Sequence, residues 1–255
     1  MKAKQPTSGG GRRGSTPRGA GRFATTHWSV VQAAGDTWSP QHQQALGTLC
    51  QTYWYPLYAY VRRQGYDTHQ AEDYTQAFFT RMLEKHGLGV ADPKRGKFRS
   101  FLLSALKHFL ANELDRMHAK KRGGDRKILS LDIGDAERRY EVEAAPQVSA
   151  DKLFDRSWAL TVLQRAMDRL QSEQQKRDKQ ELFEQLKVYL TAEKGSVPHA
   201  EMAEKLNMTP TAVRVAVHRL RKRYRELLRQ EISQTVVDKH QVNEEIRDLF
   251  KALAR

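Results

Sequence analysis

Apolar residues recur at spacings of three and four through most of the chain, and alternating runs bounded by hairpin turns are missing from its first half. Ser39-Pro40 pairs an N-cap with proline at the first helical position and opens "PQHQQALGTLCQTYW". Pro56 is expected to begin a second segment, "PLYAYVRRQ", which Gly65 stops. Thr68 can cap a third helix, in which Ala71, Tyr74, Thr75, Phe78, Phe79, Met82 and Leu83 mark one face before Gly87 ends it. The loop "HGLGVADPKRGK" leads to a long apolar helix from Phe98 to Met117.

The pattern then breaks. From Ala119 to about residue 150 both charge signs mix with Gly and Pro without a sustained period, the signature of a linker, with a short strand possible at "ILSLDI". Helical periodicity resumes at Asp151, with Leu153, Phe154, Trp158, Leu160, Val162, Leu163 and Met167 on overlapping faces, and "ELFEQLKVYL" continues it. Pro198 suits a first helical position before Ala200, Met202, Ala203 and Leu206, and "NMT" is a break. Thr209 caps the next helix with Pro210 in its first turn, and Val213, Ala216, Val217, Leu220, Tyr224 and Leu227 give it a buried stripe. Two helices joined by so short a turn, the second ending in a cationic run, predict a helix-turn-helix. Val242, Ile246, Leu249, Phe250 and Leu253 predict a last amphipathic helix, with packing on the helices of residues 151–232 favoured over docking on a regulator.

These elements predict an all-α protein of two small helical domains joined by a flexible linker. The expected divisions are a disordered basic arm at 1–22, a first domain at 23–118, the linker at 119–150, a second domain at 151–232 and a carboxy-terminal extension at 233–255. Charge sharpens this picture. The net charge is +14, and residues 1–22 hold six Lys or Arg and no acid, while Arg214 to Arg229 hold seven against Glu226 alone. Basicity concentrated in two short stretches points to a polyanionic partner. The single cysteine, Cys50, excludes an intramolecular disulfide, fits a reducing cytoplasm and reads as a small core residue. No apolar run is long enough for a membrane span, and the amino terminus has no apolar core of a secretion signal, so a cytoplasmic location without a membrane partner is expected.

Candidate chemistry follows from which side chains oppose the apolar stripes. On the second helix of the helix-turn-helix, Thr211, Arg214, Val215 and His218 face away from the core near the amino end, where they can reach base edges in a major groove. Arg214 is the best donor of a bidentate bond to guanine. Arg219, Arg221, Lys222 and Arg225 lie where phosphates flank the groove, giving affinity without sequence information. Asp73, Gln76 and Thr80 form a polar stripe suited to a protein partner. In the long helix Ser100, Ser104, Lys107, His108, Ala111, Asn112, Asp115 and Arg116 share a polar side. Phe98 and Phe101 beside it either stack on unpaired bases or pack in the core.

As an ordered set, these segments resemble the extracytoplasmic-function group of sigma-70-family transcription initiation factors. "AEDYTQAFF" resembles the core-binding motif of region 2, "FRSFLLSALKHFLANELDR" the segment that follows it, and "HAEMAEKLNMTPTAVRVAVHRLRKRYREL" region 4. The "TTHWSVV", "YWYPLYAYVRRQGY" and "KKRGG" wording is similar to planctomycete-type members. The resemblance covers residues 25–122 and 151–232. It implies that Asp73, Gln76 and Phe79, with Thr80 beside them, meet the clamp helices of the polymerase large subunit, and that the flap is a second contact. It implies that the loop from His86 to Lys97 captures a flipped -10 base, and that Phe101, Lys107, His108 and Asn112 read and melt the -10 element. Lys97, Phe98, Arg99, Ser104 and Arg116, which flank those positions, are expected to bind the same -10 DNA. Arg214, Val215, His218 and Arg219 match the -35 reading helix. Phe101 stands where the family usually has Trp, His108 where Asn is common, and Val215-Ala216 where a small polar residue and Arg often occur; these departures bear on promoter sequence. The resemblance leaves room for an anti-sigma factor or other regulator.

The competing reading is a stand-alone helix-turn-helix repressor or activator that binds its operator without polymerase. Catalytic residues, cofactors and metal ligands are not expected: "GGGRRGST" lacks the lysine of a phosphate-binding loop, "GGDRK" reads as a basic linker, and the histidines show no metal-ligand spacing.

Overall fold

The computed structural model describes residues 29–36, 40–84, 96–119, 133–145, 147–192, 197–236 and 239–254, for residues 29, 83–84, 115–119 and 239 the backbone alone. The amino-terminal arm, Ser39, most of the 86–97 loop, all of the possible strand but Ile133, and the side chain of Arg116 therefore lie outside the described residues. Among the described residues all regular structure is helical.

The core of the first half is α2 (His42–Arg63), following the short α1 (Ser29–Gly35). Pro56 does not start a new helix; it lies inside α2. An interior proline removes one backbone hydrogen bond and costs about 3 kcal/mol, but every residue from Thr52 to Val61 is buried, and that burial favours one uninterrupted helix. Nor does Pro40 hold the first helical position, since the helix begins at His42 with Gln41 as its N-cap. Gly65 stops α2 as expected: its φ of +96° is accessible to glycine at little cost, and its N–H donates to the Arg62 carbonyl at 3.1 Å. Cys50 is buried, and burial pushes its thiol up to about 11.

α3 (Thr68–Glu84) opens on Asp67 instead of Thr68. The Gln70 N–H donates to the Asp67 carboxylate at 2.8 Å, and the Asp67 N–H donates to the Gln70 side chain at 3.2 Å, a reciprocal capping box. α4 (Phe98–Ala119) follows, with Phe98, Leu102, Leu106, Phe109 and Leu110 buried. Edge-to-face contacts of Phe98 with Tyr53 and of Phe109 with Phe78 join α4 to α2 and α3.

Within the segment expected to be a linker, Ile133–Glu143 forms α5. It is fastened to α2: Arg62 pairs with Glu137 through two nitrogens, at 3.1 and 2.6 Å, and Tyr58 donates its hydroxyl to the same carboxylate. Hydrogen bonding to Arg62 holds the Glu137 carboxyl below its usual range. Arg62 and Arg139 also lie over the rings of Tyr140 and Tyr55, at 4.9 and 3.7 Å.

α6 (Ala150–Gln175) is the longest helix, capped by Ser149, which accepts the Lys152 N–H. It packs along α2 more extensively than any other pair of helices meets, and also supports the helices of the second half. Those are α7 (Gln180–Leu186), α8 (Val188–Thr191), α9 (His199–Lys205), α10 (Pro210–Ser233) and α11 (Lys239–Leu253). Glu231 of α10, almost fully buried, receives Arg165 at 3.0 Å and Arg169 at 2.6 Å from α6. Arg223 of α10 grips Glu173 of α6 through two nitrogens. α10 thus runs antiparallel to α6. The predicted carboxy-terminal helix forms and packs within the chain, burying Val242 and Leu249 chiefly against α6 and leaving Phe250 exposed.

Candidate nucleic-acid interface

The helix-turn-helix is built by local chemistry. α9 ends at Lys205, and Asn207 adopts φ +51°, a left-handed conformation that asparagine tolerates better than most residues. The Met208 N–H then donates to the Ala203 carbonyl at 2.9 Å, closing the turn over a residue small enough to be buried between the helices. Thr209 caps α10 by accepting the Ala212 N–H at 3.2 Å, and Pro210 supplies the first helical residue. Pro198 is the N-cap of α9, one position earlier than its predicted place. Thr209→Ala is expected to cost about 1 kcal/mol, read as a lower midpoint in chemical denaturation.

Val213, Val217, Leu220, Leu227 and Leu228 bury one side of α10. The opposite side is open: Thr211, Arg214, Val215, His218, Arg219 and Lys222 are all exposed and follow one another along a single stripe. Val215 is an exposed large apolar residue within it. This face is fixed from behind. Tyr224 donates its hydroxyl to the Leu163 carbonyl at 3.1 Å, and burial pushes its pKa up to about 12.

Arg221, predicted to face phosphate, is placed with the scaffold. Its Nε and Nη2 both donate to the Tyr189 carbonyl, at 3.1 and 2.9 Å, tying α10 to α8. That carbonyl lies in the last turn of a short helix, where an arginine satisfies an acceptor otherwise left open.

The residues predicted on α3 and α4 divide by depth. Asp73 is exposed and Thr80 half-buried, with its hydroxyl donating to the Gln76 carbonyl. Gln76 and Phe79 are buried. On α4, Ser104, Lys107, His108 and Asn112 form an exposed polar stripe, and Phe101 is half-buried against Phe98. Phe98 is a core residue.

Lys97 and Arg99 are engaged by acids. Arg99 is buried over the Trp158 ring at 4.7 Å and meets Glu245 at 2.9 Å, Asp248 at 3.2 Å and Asp155. Lys97 pairs with Asp248 and lies 3.6 Å from Glu245. Lys107 reaches Asp151 at 2.7 Å, and that bond raises its pKa. These partners lie 44 to 151 residues away in sequence, beyond the reach of any local charge pattern.

Compared with protein families, curated proteins and solved structures, the chain matches none. Among the described residues, no helix is long and apolar enough to cross a membrane.

Proposed function

We propose that the chain is a transcription initiation factor of the extracytoplasmic-function sigma type, which binds core RNA polymerase and directs it to promoters. In this reading α10 takes the -35 element through Arg214, Val215, His218 and Arg219, with Lys222 on phosphate. α4 takes the -10 element through Ser104, Lys107, His108 and Asn112. Residues 23–118 and 151–232 act as the two gripping units. The observation that carries the reading is the exposed stripe on α10, basic and interrupted by one apolar residue, set on a capped helix behind a tight turn. Asp73, exposed on α3, is the residue best placed to meet the polymerase clamp; Gln76 and Phe79 support it from within.

Run-off transcription tests this directly. Purified chain with core polymerase is expected to give discrete starts on selected genomic fragments, while core alone gives none. Specific operator binding by the chain alone, with no polymerase capture, would replace this reading with that of a stand-alone regulator. Asp73→Ala is expected to weaken core binding about tenfold, the effect of losing about 1.4 kcal/mol, with DNA affinity intact. Unchanged core affinity would remove Asp73 from the interface.

A further inference from the structure

The cluster at the start of α4 has a chemistry that a packing role leaves unexplained. Lys97 and Arg99 stand at the amino-terminal end of a 22-residue helix, where the backbone dipole is positive and cations are disfavoured. Two cations there make an anion site. The anions come from the last helix: Glu245 and Asp248 of α11 both touch both cations, and Asp155 of α6 adds a third carboxylate to Arg99. Burial holds the carboxyls of Glu245 and Asp155 above their usual range despite the arginine beside them. Three carboxylates thus gather on two cations. Below them on α4, Asp151 occupies Lys107.

We propose that α11 is an internal acidic plug, its Glu245 and Asp248 occupying the place of nucleic-acid phosphates on Lys97 and Arg99, so that α4 engages DNA fully only after α11 leaves. This rests on the reading of α4 as a nucleic-acid surface. The dimensions of the closed chain agree with it. Asp151, which meets Lys107, and Glu173, which meets Arg223, lie 22 residues apart on α6, about 33 Å. Arg214 lies nine residues nearer the start of α10 than Arg223, which adds about 13 Å along the same axis. Two elements twenty base pairs apart are separated by about 70 Å, at roughly 3.4 Å per step. The closed arrangement therefore holds the two reading faces nearer together than such a site requires. α11 bridges them, because it packs on α6 and α10 and clamps the start of α4.

The test uses the full chain and a fluorescent single-stranded DNA 20-mer of mixed sequence, read by anisotropy across a salt series. Glu245→Gln with Asp248→Asn is compared with Asp168→Asn with Glu141→Gln, which removes two exposed carboxylates on α6 and α5, neither of them on α4 or α11, and changes net charge equally. The plug variant is expected to bind about tenfold more tightly than this control at low salt. Its log-log salt dependence should be steeper by about 0.7, the value for one freed cation on a single strand, because Lys97 loses both its carboxylates while Asp155 still holds Arg99. Equal affinity and slope in the two variants would overturn the plug. Should the variant lose helix content, hydrogen exchange on the wild-type chain decides: the amides of α11 should exchange faster when the 20-mer is saturating, and unchanged or greater protection would overturn the proposal. Failure of run-off transcription with these gains present would sink the initiation-factor reading and leave the plug standing. Specific transcription without them would sink the plug alone.

Discussion

Phe154→Ala is expected to lower the unfolding free energy of the whole chain by about 3–5 kcal/mol, the usual cost of removing a buried aromatic side chain. The size comes from place. Phe154 is fully buried on α6, the helix that packs along α2 and also carries α10 and α11. Because folded proteins retain only about 5–15 kcal/mol in all, a loss of this size moves the denaturation midpoint far more than a surface change. The shape of the curve is the sharper readout. If α6 unites both halves, helix content by circular dichroism and the fluorescence of buried Trp54 and Trp158 should report one transition, displaced as a unit. Two transitions, of which only one moves, would show that α6 belongs to one half.

The sequence showed the elements better than their partners. The helix-turn-helix was legible because its signals are local: Thr209 as cap, Pro210 behind it and apolar residues three and four apart each act within a turn or two. The stripe of α11 was legible for the same reason. Pro56 misled because the proline rule concerns one backbone bond, and it is overridden where the whole helix is buried. α5 escaped because its hold on α2 is an ion pair and two cation–ring contacts, which leave no apolar period. On the candidate surfaces, spacing located the open stripes of α4 and α10, but neither spacing nor the resemblance showed that Arg99 and Arg221 are held by groups of the chain itself. A cation's sequence neighbours do not reveal whether a carboxylate or carbonyl distant in the chain will take it, and here Glu245 and the Tyr189 carbonyl do.

That distinction gives the prediction with the clearest functional consequence. Arg214→Ala and Arg221→Ala remove the same charge from the same helix, seven residues apart, yet should fail differently. Arg214 is exposed in the first turns of α10, where a guanidinium can form two parallel bonds to guanine; its loss should cost about 1–3 kcal/mol. The loss should fall on one base position of a selected duplex, with fold and melting temperature unchanged. Arg221 holds α10 to the end of α8, so its loss leaves the Tyr189 carbonyl with one fewer donor and should appear as lower stability. Lys222→Ala is the third arm. Lys222 is exposed and is proposed to meet phosphate, so its loss should lower affinity for all duplexes alike and reduce the salt slope by about 0.9, as for one contact to double-stranded DNA. Competition binding against a randomised duplex pool, at two salt concentrations, separates the three. If Arg214→Ala weakened every sequence equally and changed the salt slope as Lys222→Ala does, the face of α10 would be a phosphate-binding surface alone, and base reading would have to lie elsewhere on the chain.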